Sequence, residues 1–480
     1  MTEFRPALPK PLDAHPSMIL RLRMRLKSSL GLFLHGSYGF LGVSRHNIPT
    51  LPRMEKRAMF FIREPDAIKE VLVRRPGDFP KGAVMDAMLR KLTGYSIFVS
   101  NGEAWSRHRR IVDQAFTHAG VRNVFSLMRD STDGCVARLA AQADSGKPVA
   151  IDEEMTHFAG DIIFRTIYSE PMTSEDARRI FSAFEAFQGI AFARGMIGLS
   201  GIPIDWIWSG RKARKLALEI RDVLNGPLQR RLKAVAAGDV VPDNDILSAL
   251  MTAVDPVTGT RFEGDELLDQ IAMLFLAGHE TSAAALGWAL YLLSHRRDIQ
   301  GKMRSEARAV LGDRAPEFAD MKRLEATRDV FRETLRLYPP VAFFSRDTVK
   351  DETLGGESIA AGEPVVVPAW LMHRHAAIWE DANGFDPSRF ARPETREAQR
   401  TAYMPFSMGA RVCVGAAFAM QEATLILGEL VRRFEFRPVP GHEPQPVSRL
   451  TVRSENGIRL FVDTAASSGT AGSVPDDDTP

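Results

Sequence analysis

The sequence is poor in cysteine, with only Cys135 and Cys413 among its 480 residues. Two cysteines so far apart cannot build a disulfide framework, and without a C-x-x-C pair they lack the usual spacing of a zinc site. We therefore expect a reducing, cytoplasmic environment. Cys135 is predicted to lie in a core helix.

An excess of charge of either sign is also missing. The chain has 62 Lys and Arg residues against 60 Asp and Glu residues, which leaves a net charge of +2. Nothing in this balance predicts nucleic acid as a partner, so any basic surface must be local. The hydrophobic content of 45% and the charged content of 25% are typical of a soluble globular protein.

No apolar run predicts a membrane-spanning helix. The N-terminal residues are polar and rich in proline, unlike a signal peptide, and residues 30–43 are interrupted by glycine and polar side chains. Residues 271–293 are apolar for longer, but His279, Glu280 and Thr281 fall at their middle, where a charge in lipid would be costly. We predict one long buried helix over residues 264–294, with no transmembrane segment.

What the sequence does contain is a cysteine in a glycine-rich loop, FSMGARVCVG, over residues 406–415. Thiolate sulfur is a ligand for iron, zinc or copper. Gly409 and Gly415 would let the backbone pass close to a flat cofactor, and Arg411 supplies a permanent cation for an anionic cofactor group. The alternative for an isolated cysteine such as Cys413 is a buried structural residue in a turn.

The spacing F-x-x-G-x-R-x-C-x-G, from Phe406 to Gly415, resembles at every fixed position the haem-binding loop of the cytochrome P-450 superfamily. The resemblance implies that Cys413 is the axial thiolate ligand of haem b. It also implies cofactor contacts by Phe406, Gly409, Arg411 and Gly415. Three residues outside the loop match propionate-binding positions of the family, namely Trp105 and Arg109 in a W-x-x-x-R helix and Arg346 in a strand.

The middle of the long helix, AGHETS over residues 277–282, resembles the oxygen-activation motif of the same family. The resemblance implies two catalytic residues. The Thr281 hydroxyl would donate a hydrogen bond toward dioxygen, and Glu280 would relay protons from solvent. Gly278 is expected to permit a local widening of the helix. The alternative for Thr281 is a hydroxyl that bonds back to its own helix.

Four residues are predicted to border the substrate. Met273 and Ala277 share one face of the long helix with Thr281, and Phe343 and Phe344 approach from the strand that carries Arg346.

Two further segments match regions that surround the substrate in the family. Residues 79–100 mix glycine, proline and apolar side chains and are expected to form a long, mobile connection. The apolar segment 181–208 corresponds to the roof of the site. It is either core or an entry mouth for lipophilic substrate, and peripheral contact with a membrane stays open.

A structural ion-pair group is implied as well. Glu333 and Arg336 form an E-x-x-R pattern, and Arg389 is the arginine of a P-x-R-F turn. Ser388 stands where the family usually has glutamate. From the residues alone, Glu333 and Arg336 could be an ordinary surface pair.

The resemblance covers about residues 50–463, with five motifs in the family's order. It implies a mainly α fold with smaller β-sheets (α+β), the cytochrome P-450 fold, with the long central helix over the haem. We expect an irregular leader over residues 1–49, one domain over 50–463 and a disordered tail over 464–480.

The implied function is a haem-thiolate monooxygenase that inserts one oxygen atom from dioxygen into a lipophilic organic substrate, by hydroxylation. Electrons would come from NAD(P)H through a separate donor protein. The alternatives are a peroxide-driven or isomerising haem-thiolate enzyme, and a non-catalytic haem-based ligand binder. The sequence does not identify the substrate.

The donor is expected to be an acidic ferredoxin or flavodoxin-like protein. On the helix of Trp105 and Arg109, the side chains of Arg107 and Arg110 are predicted to turn away from the cofactor. They would form an exposed basic patch that steers such a donor.

Overall fold

The structure is a computed structural model that describes residues 4–9, 41–48, 57–199 and 210–466. In chain order, the helices of these residues are α1 Pro65–Lys69, α2 Ala83–Thr93, α3 Gly102–Ala115, α4 His118–Asn123, α5 Phe125–Ala140, α6 Ile151–Tyr168, α7 Ser174–Leu199, α8 Gly210–Ala237, α9 Ile246–Thr252, α10 Asp265–Ser294, α11 Arg297–Leu311, α12 Glu325–Leu337, α13 Ala369–Met372, α14 Arg396–Ala402 and α15 Ala416–Arg433. The strands are β1 Val43–Ile48, β2 Arg57–Ile62, β3 Val149–Ala150, β4 Phe344–Asp347, β5 Glu352–Leu354, β6 Glu357–Ile359, β7 Pro364–Val367, β8 Phe434–Pro438, β9 Pro446–Ser448, β10 Val452–Ser454 and β11 Arg459–Thr464.

Helix α10 crosses the core, as the apolar run predicts. Its 30 residues start after Gly264, where the chain turns with a φ of +51° before the helix begins. Asp265 and Glu266 lie in the first turn, where their negative charges complement the positive end of the helix dipole. Most of its residues are buried on every side, as expected of a helix that is apolar all round. The predicted widening at Gly278 is wrong, because the helix is regular there. A Cβ at Gly278 would come within 2.9 Å of Ile163 on α6, so glycine serves close packing instead.

The largest sheet has the strand order β1-β2-β7-β4. Strands β2 and β7 are parallel, with Phe60 opposite Val365, while β1 and β4 pair antiparallel at the two sides. Strand β1 lies within the predicted irregular leader, so that expectation is wrong for Val43–Ile48: the alternating register with β2 gives these residues regular hydrogen bonding.

The connection predicted over residues 79–100 contains helix α2, which sequence reasoning missed. Phe184, Phe187 and Phe192 of the apolar segment 181–208 are buried in α7, whereas residues 200–209 lie outside the described residues. Most of the leader and residues 467–480 of the predicted tail also lie outside them. Cys135 is buried in α5, as predicted.

Glu333, Arg336 and Arg389 meet in the interior, each at most 1% exposed. Arg336 Nε and Nη2 donate to the two Glu333 carboxylate oxygens at 2.8 Å each, and Arg389 Nε donates to Oε1 at 3.1 Å. The remaining Arg336 donors reach the carbonyl oxygens of His373, Ala382 and Gly384. The group ties α12 to the chain that follows α13, and its charges are paired and hydrogen-bonded.

We predict that Glu333→Gln destabilises the fold by about 3–5 kcal/mol, because it leaves two buried guanidinium groups without their counter-charge. The measurement is the free energy of unfolding in denaturant. Glu397→Gln is the control, since Glu397 also pairs with an arginine three residues away but is 64% exposed. Equal losses in both variants would contradict a stabilising role for the buried group.

Candidate functional site

The cysteine loop packs directly on a π-helical turn, Glu70–Arg74, that follows α1. Gly409 has a φ of +71°, and a Cβ at this position would overlap the carbonyl oxygen of Leu72. Glycine is therefore required both by the backbone conformation and by the close approach. Ser407 also takes a positive φ, of +63°. The Cys413 amide donates to the carbonyl of Phe406 at 2.9 Å and closes the loop before α15 begins.

The Cys413 side chain is exposed, yet burial is the largest influence on its thiol and raises the pKa. The two facts agree if the sulfur faces a space inside the protein. The Gly415 amide donates to the sulfur, and the nearby charges of Arg109 and Lys81 favour the thiolate. Arg109 Nη1 donates to the carbonyl of Val412 at 2.5 Å, so α3 is fastened to the loop beside the cysteine.

Three cations gather next to the loop. Arg411 lies over the Trp105 ring, with 4.3 Å from its central carbon to the ring centroid, and donates to Asn101 Oδ1 at 2.8 Å. Burial lowers the pKa of Arg346 and of Arg411 to about 10. The pKa of Lys81 falls well below its usual value because of burial and the charges of Arg346 and Arg411.

No acidic side chain among the described residues forms an ion pair with Lys81, Arg346 or Arg411. Buried cations without a counter-charge are costly, so this cluster fits a ligand that carries anionic groups. Two carboxylates, as on the expected haem, have the required charge. The sequence analysis did not identify Lys81, since no motif surrounds it and its neighbours come from distant segments.

The basic patch predicted for Arg107 and Arg110 is wrong. Arg107 Nη1 donates to Glu266 at 2.8 Å, and Arg110 binds the fully buried Asp255 through Nε at 2.5 Å and Nη2 at 3.0 Å. The two arginines do turn away from the cysteine loop, but toward Glu266 in the first turn of α10 and toward the chain that precedes this helix. They fasten α3 to that segment and are largely covered.

An apolar cavity lies along one face of α10. Met273, Ala277 and Thr281 border it, as predicted, and so does Phe343. Phe344 does not, since successive residues of a strand face opposite sides. Ser345 and Asp347 face the cavity, whereas Phe344 packs into the core around the sheet. Apolar residues of several other elements complete the wall, including Met59, Met85, Met88, Phe98, Phe192 and Leu276.

The two residues predicted to be catalytic both border this cavity. The Thr281 hydroxyl donates to the carbonyl of Ala277 at 2.6 Å, so it bonds back to its own helix, which is the alternative to the expected donation toward dioxygen. Its oxygen is left able to accept a hydrogen bond. Glu280 is 2% exposed and accepts from Thr451 Oγ1 at 2.6 Å and from Arg453 Nε and Nη2 at 2.7 and 2.6 Å. Sequence reasoning missed Thr451 and Arg453, which lie far along the chain.

The family model for cytochrome P450 matches residues 47–461. The chain belongs to the cytochrome P450 family. It is 30% identical to cyclooctatin synthase of Streptomyces melanosporofaciens over 401 residues, 83% of this chain and 85% of that protein. It is 29% identical to cyclooctat-9-en-7-ol 5-monooxygenase of the same organism, over 78% and 80% of the two chains.

The fold is also that of a solved cytochrome P450. The haem domain of cytochrome P450DA superposes with a TM-score of 0.75 at 22% identity, over 88% of this chain and 90% of that one. The predicted family and the predicted mainly α fold are thus confirmed, and the chain is an oxidoreductase of this family with a haem-thiolate cofactor. Within the described ranges, no helix of this cytochrome P450 has the length and apolarity needed to cross a membrane.

A buried carboxyl lies on the other side of α10 from Arg453. Glu422 of α15 is 1% exposed and accepts a hydrogen bond from Ser282 at 2.8 Å, while its Oε1 has no partner among the described residues. Burial raises the pKa of Glu422 to about 8. This cytochrome P450 therefore folds with Glu422 protonated at neutral pH.

We predict that Gly409→Ala lowers the unfolding midpoint and the haem content of the purified protein, because the new Cβ overlaps the Leu72 backbone. Gly146→Ala is the control. Gly146 also has a positive φ, +67°, but nothing lies within 4 Å of an added Cβ. Similar effects in both variants would mean that backbone strain alone is responsible.

We predict that rising pH removes stability through Glu422. Its folded-state pKa of about 8 lies above the ordinary 4.5, so the folded protein holds one proton more than the unfolded chain between those values. The contribution is full below pH 4.5 and is lost toward pH 8, at up to about 1.4 kcal/mol per pH unit. Denaturation across this range should show Glu422→Gln losing less stability than the wild type. Parallel curves would contradict the assignment.

Proposed function

We propose that this cytochrome P450 is a monooxygenase that inserts one oxygen atom of dioxygen into a lipophilic substrate. The observation that carries the proposal is the apolar cavity with a hydroxyl and a carboxylate, Thr281 and Glu280, in its wall. A relative named as a monooxygenase of cyclooctat-9-en-7-ol supports it. Hydroxylation is the reaction we propose, and the protein acts in the cytoplasm.

Haem b would be held by the cysteine loop and the neighbouring cations. Cys413 would be its thiolate ligand, Gly409 and Gly415 would keep the loop close to the cofactor, and Phe406 would close the entrance of the loop. Trp105, Arg109, Arg346 and Arg411 are the proposed propionate contacts, and Lys81 joins them. When bound, haem with a thiolate ligand supplies the activation of dioxygen.

The chain's own contribution is orientation, exclusion of water and proton delivery. The methionines and phenylalanines of the cavity bury an apolar substrate and keep bulk water away from it. Ala277 is small and leaves room beside Thr281. The Thr281 oxygen can accept a hydrogen bond from a water molecule, and Glu280 can exchange a proton with that water. The cavity therefore combines an apolar binding wall with one route for protons.

The alternatives fit the site less well. A peroxide-driven or isomerising enzyme needs no hydroxyl–carboxylate pair beside its substrate, and neither does a haem-based ligand binder. We propose that the electrons of NAD(P)H arrive through a separate ferredoxin or flavodoxin-like protein. Arg107 and Arg110 do not form its docking surface, because both are paired with acidic side chains of this chain.

We predict that Cys413→Ser abolishes the strongly red-shifted carbon-monoxide difference band of the reduced protein, because serine supplies no thiolate sulfur. Cys135→Ala, which removes the only other cysteine of the sequence, should retain the band. A red-shifted thiolate band in Cys413→Ser would exclude Cys413 as the ligand.

We predict that Thr281→Ala keeps haem and substrate binding but diverts oxygen into peroxide, by about ten-fold or more relative to product, because a proton-relay group is lost. Thr281→Ser keeps the hydroxyl and should restore much of the coupling. The measurements are nicotinamide consumption, peroxide and product with one lipophilic probe. Unchanged coupling in Thr281→Ala would remove Thr281 from the mechanism.

A further inference from the structure

The tip of a short hairpin forms part of the wall of the apolar cavity. Strands β9 and β10 pair antiparallel, with Ser448 opposite Val452, and the Arg449 amide donates to the carbonyl of Thr451 at 3.1 Å across the turn. Four residues of this tip border the cavity, namely Ser448, Arg449, Leu450 and Thr451. The arginine stands out, because most of the surrounding wall consists of methionine, phenylalanine and other apolar side chains.

The half-buried Arg449 side chain has no partner in the part of the chain that the structure describes. No carboxylate there forms an ion pair with it, and no oxygen accepts a hydrogen bond from its guanidinium group. Arg453, on the same hairpin, instead donates to both carboxylate oxygens of Glu280, at 2.7 and 2.6 Å. The protein thus neutralises one arginine of the hairpin and leaves the charge of the other uncompensated.

Acidic side chains lie near enough to have paired with Arg449. The arginine also borders a second cavity, which is lined by polar side chains of α6, α7 and the hairpin. Four carboxylates share that lining, those of Asp152, Glu153, Glu185 and Glu455. Among the described residues none of the four forms an ion pair with Arg449. An arginine that served only to balance these charges would contact at least one of them.

The two acidic residues of the apolar cavity are engaged elsewhere. Glu280 is held by Arg453, and the Asp347 carboxylate accepts the Ala83 amide at 3.2 Å, at the start of α2. Arg449 is therefore a cation in an apolar wall whose nearby carboxylates have other partners. A cation in such surroundings is costly unless a group of opposite charge binds to it. These observations favour a ligand as its partner.

The guanidinium group and its surroundings indicate the chemistry of that ligand. An arginine presents parallel N–H donors that match the two oxygens of a carboxylate, and it does so with a permanent charge. Beyond the hairpin tip the wall is apolar, with Met273 and Leu276 of α10 and Phe192 of α7. Such a wall buries an uncharged body. A molecule with a carboxylate at one end and an apolar remainder satisfies both parts of the cavity.

We propose that Arg449 is a specificity-determining residue that binds the carboxylate of an acidic lipophilic substrate in the apolar cavity. The inference rests on the proposed function and narrows its substrate class from lipophiles in general to lipophilic carboxylic acids. A substrate bound in this way has one fixed end, so its apolar body can present only a limited set of carbon atoms beside Thr281.

The test compares acids with their own esters. Holoenzyme at pH 7.5 is titrated with dodecanoic acid, abietic acid and the methyl ester of each, and the shift of the haem absorption band gives every Kd. Esterification removes the negative charge and leaves the apolar body almost unchanged. The variants are Arg449→Gln and Arg449→Lys. Arg178→Gln is the matched control, since Arg178 of α7 also lacks an ion pair among the described residues but is exposed and borders only the polar cavity.

We expect the wild type to bind at least one acid about ten-fold or more tightly than its ester, because hydrogen bonds to a charged group are the strong ones. Arg449→Gln should weaken binding of the acid and leave that of the ester unchanged. Arg449→Lys, which keeps the charge but not the fork of donors, should retain part of the preference. Equal affinities for acid and ester in the wild type, or equal losses in Arg449→Gln and Arg178→Gln, would overturn the inference.

Thermal unfolding gives a second readout that needs no turnover. Since the fold supplies no partner for the side chain, Arg449→Gln should not lower Tm. The preferred acid should raise the Tm of the wild type and of Arg178→Gln, but not that of Arg449→Gln. A lower Tm in Arg449→Gln without ligand would give the side chain a structural role and contradict the inference.

The carbon-monoxide difference band of the reduced wild type separates the two proposals. A wild type without the thiolate band overturns the proposed function. A wild type that has the band but prefers neither acid over its ester overturns this inference alone.

Discussion

The burial of helix α10 is the constraint on which the rest of the structure depends. A helix covered on every side cannot leave its polar side chains to water, so other elements must bind them. Gln270 Oε1 accepts from the Ile97 amide, Ser282 donates to Glu422, and Trp288 Nε1 donates to the carbonyl of Val452. Glu280 accepts hydrogen bonds from Arg453, which lies next to Val452 in strand β10. These four polar side chains thus bind three segments around the helix, namely the chain before α3, helix α15 and strand β10.

Beside the cysteine loop, by contrast, charged side chains meet without partners of opposite charge among the described residues. Lys81, Arg346 and Arg411 are brought together with their counter-charge missing from the described residues, and burial lowers the pKa of each. Such a cluster opposes folding until an anionic group neutralises it. A bound dicarboxylate cofactor would therefore stabilise the folded protein as well as equip it for chemistry. Binding of such a cofactor and folding would then be coupled through these three side chains.

Sequence reasoning failed where a residue's direction or partner depended on remote chain. The sequence predicts Phe344 at the cavity, but the register of β4 with β7 turns its side chain to the other side of the strand, together with that of Arg346. The sequence predicts Arg107 and Arg110 on an exposed surface, because nothing nearby in the chain shows that Glu266 and Asp255 pair with them. Gly278 predicts a widening of the helix, but in the structure its missing Cβ leaves room for Ile163 of α6.

The sequence by itself determined the family, the cysteine loop, the long buried helix and the face of that helix that meets the cavity. These features belong to short stretches, whose spacing sets which residues share a turn or a helix face. Only the tertiary structure decided which charges meet. Lys81 joins Arg346 and Arg411, and Arg453 reaches Glu280 across 173 residues of chain. Contacts of that kind depend on the packing of whole elements, and no local pattern encodes them.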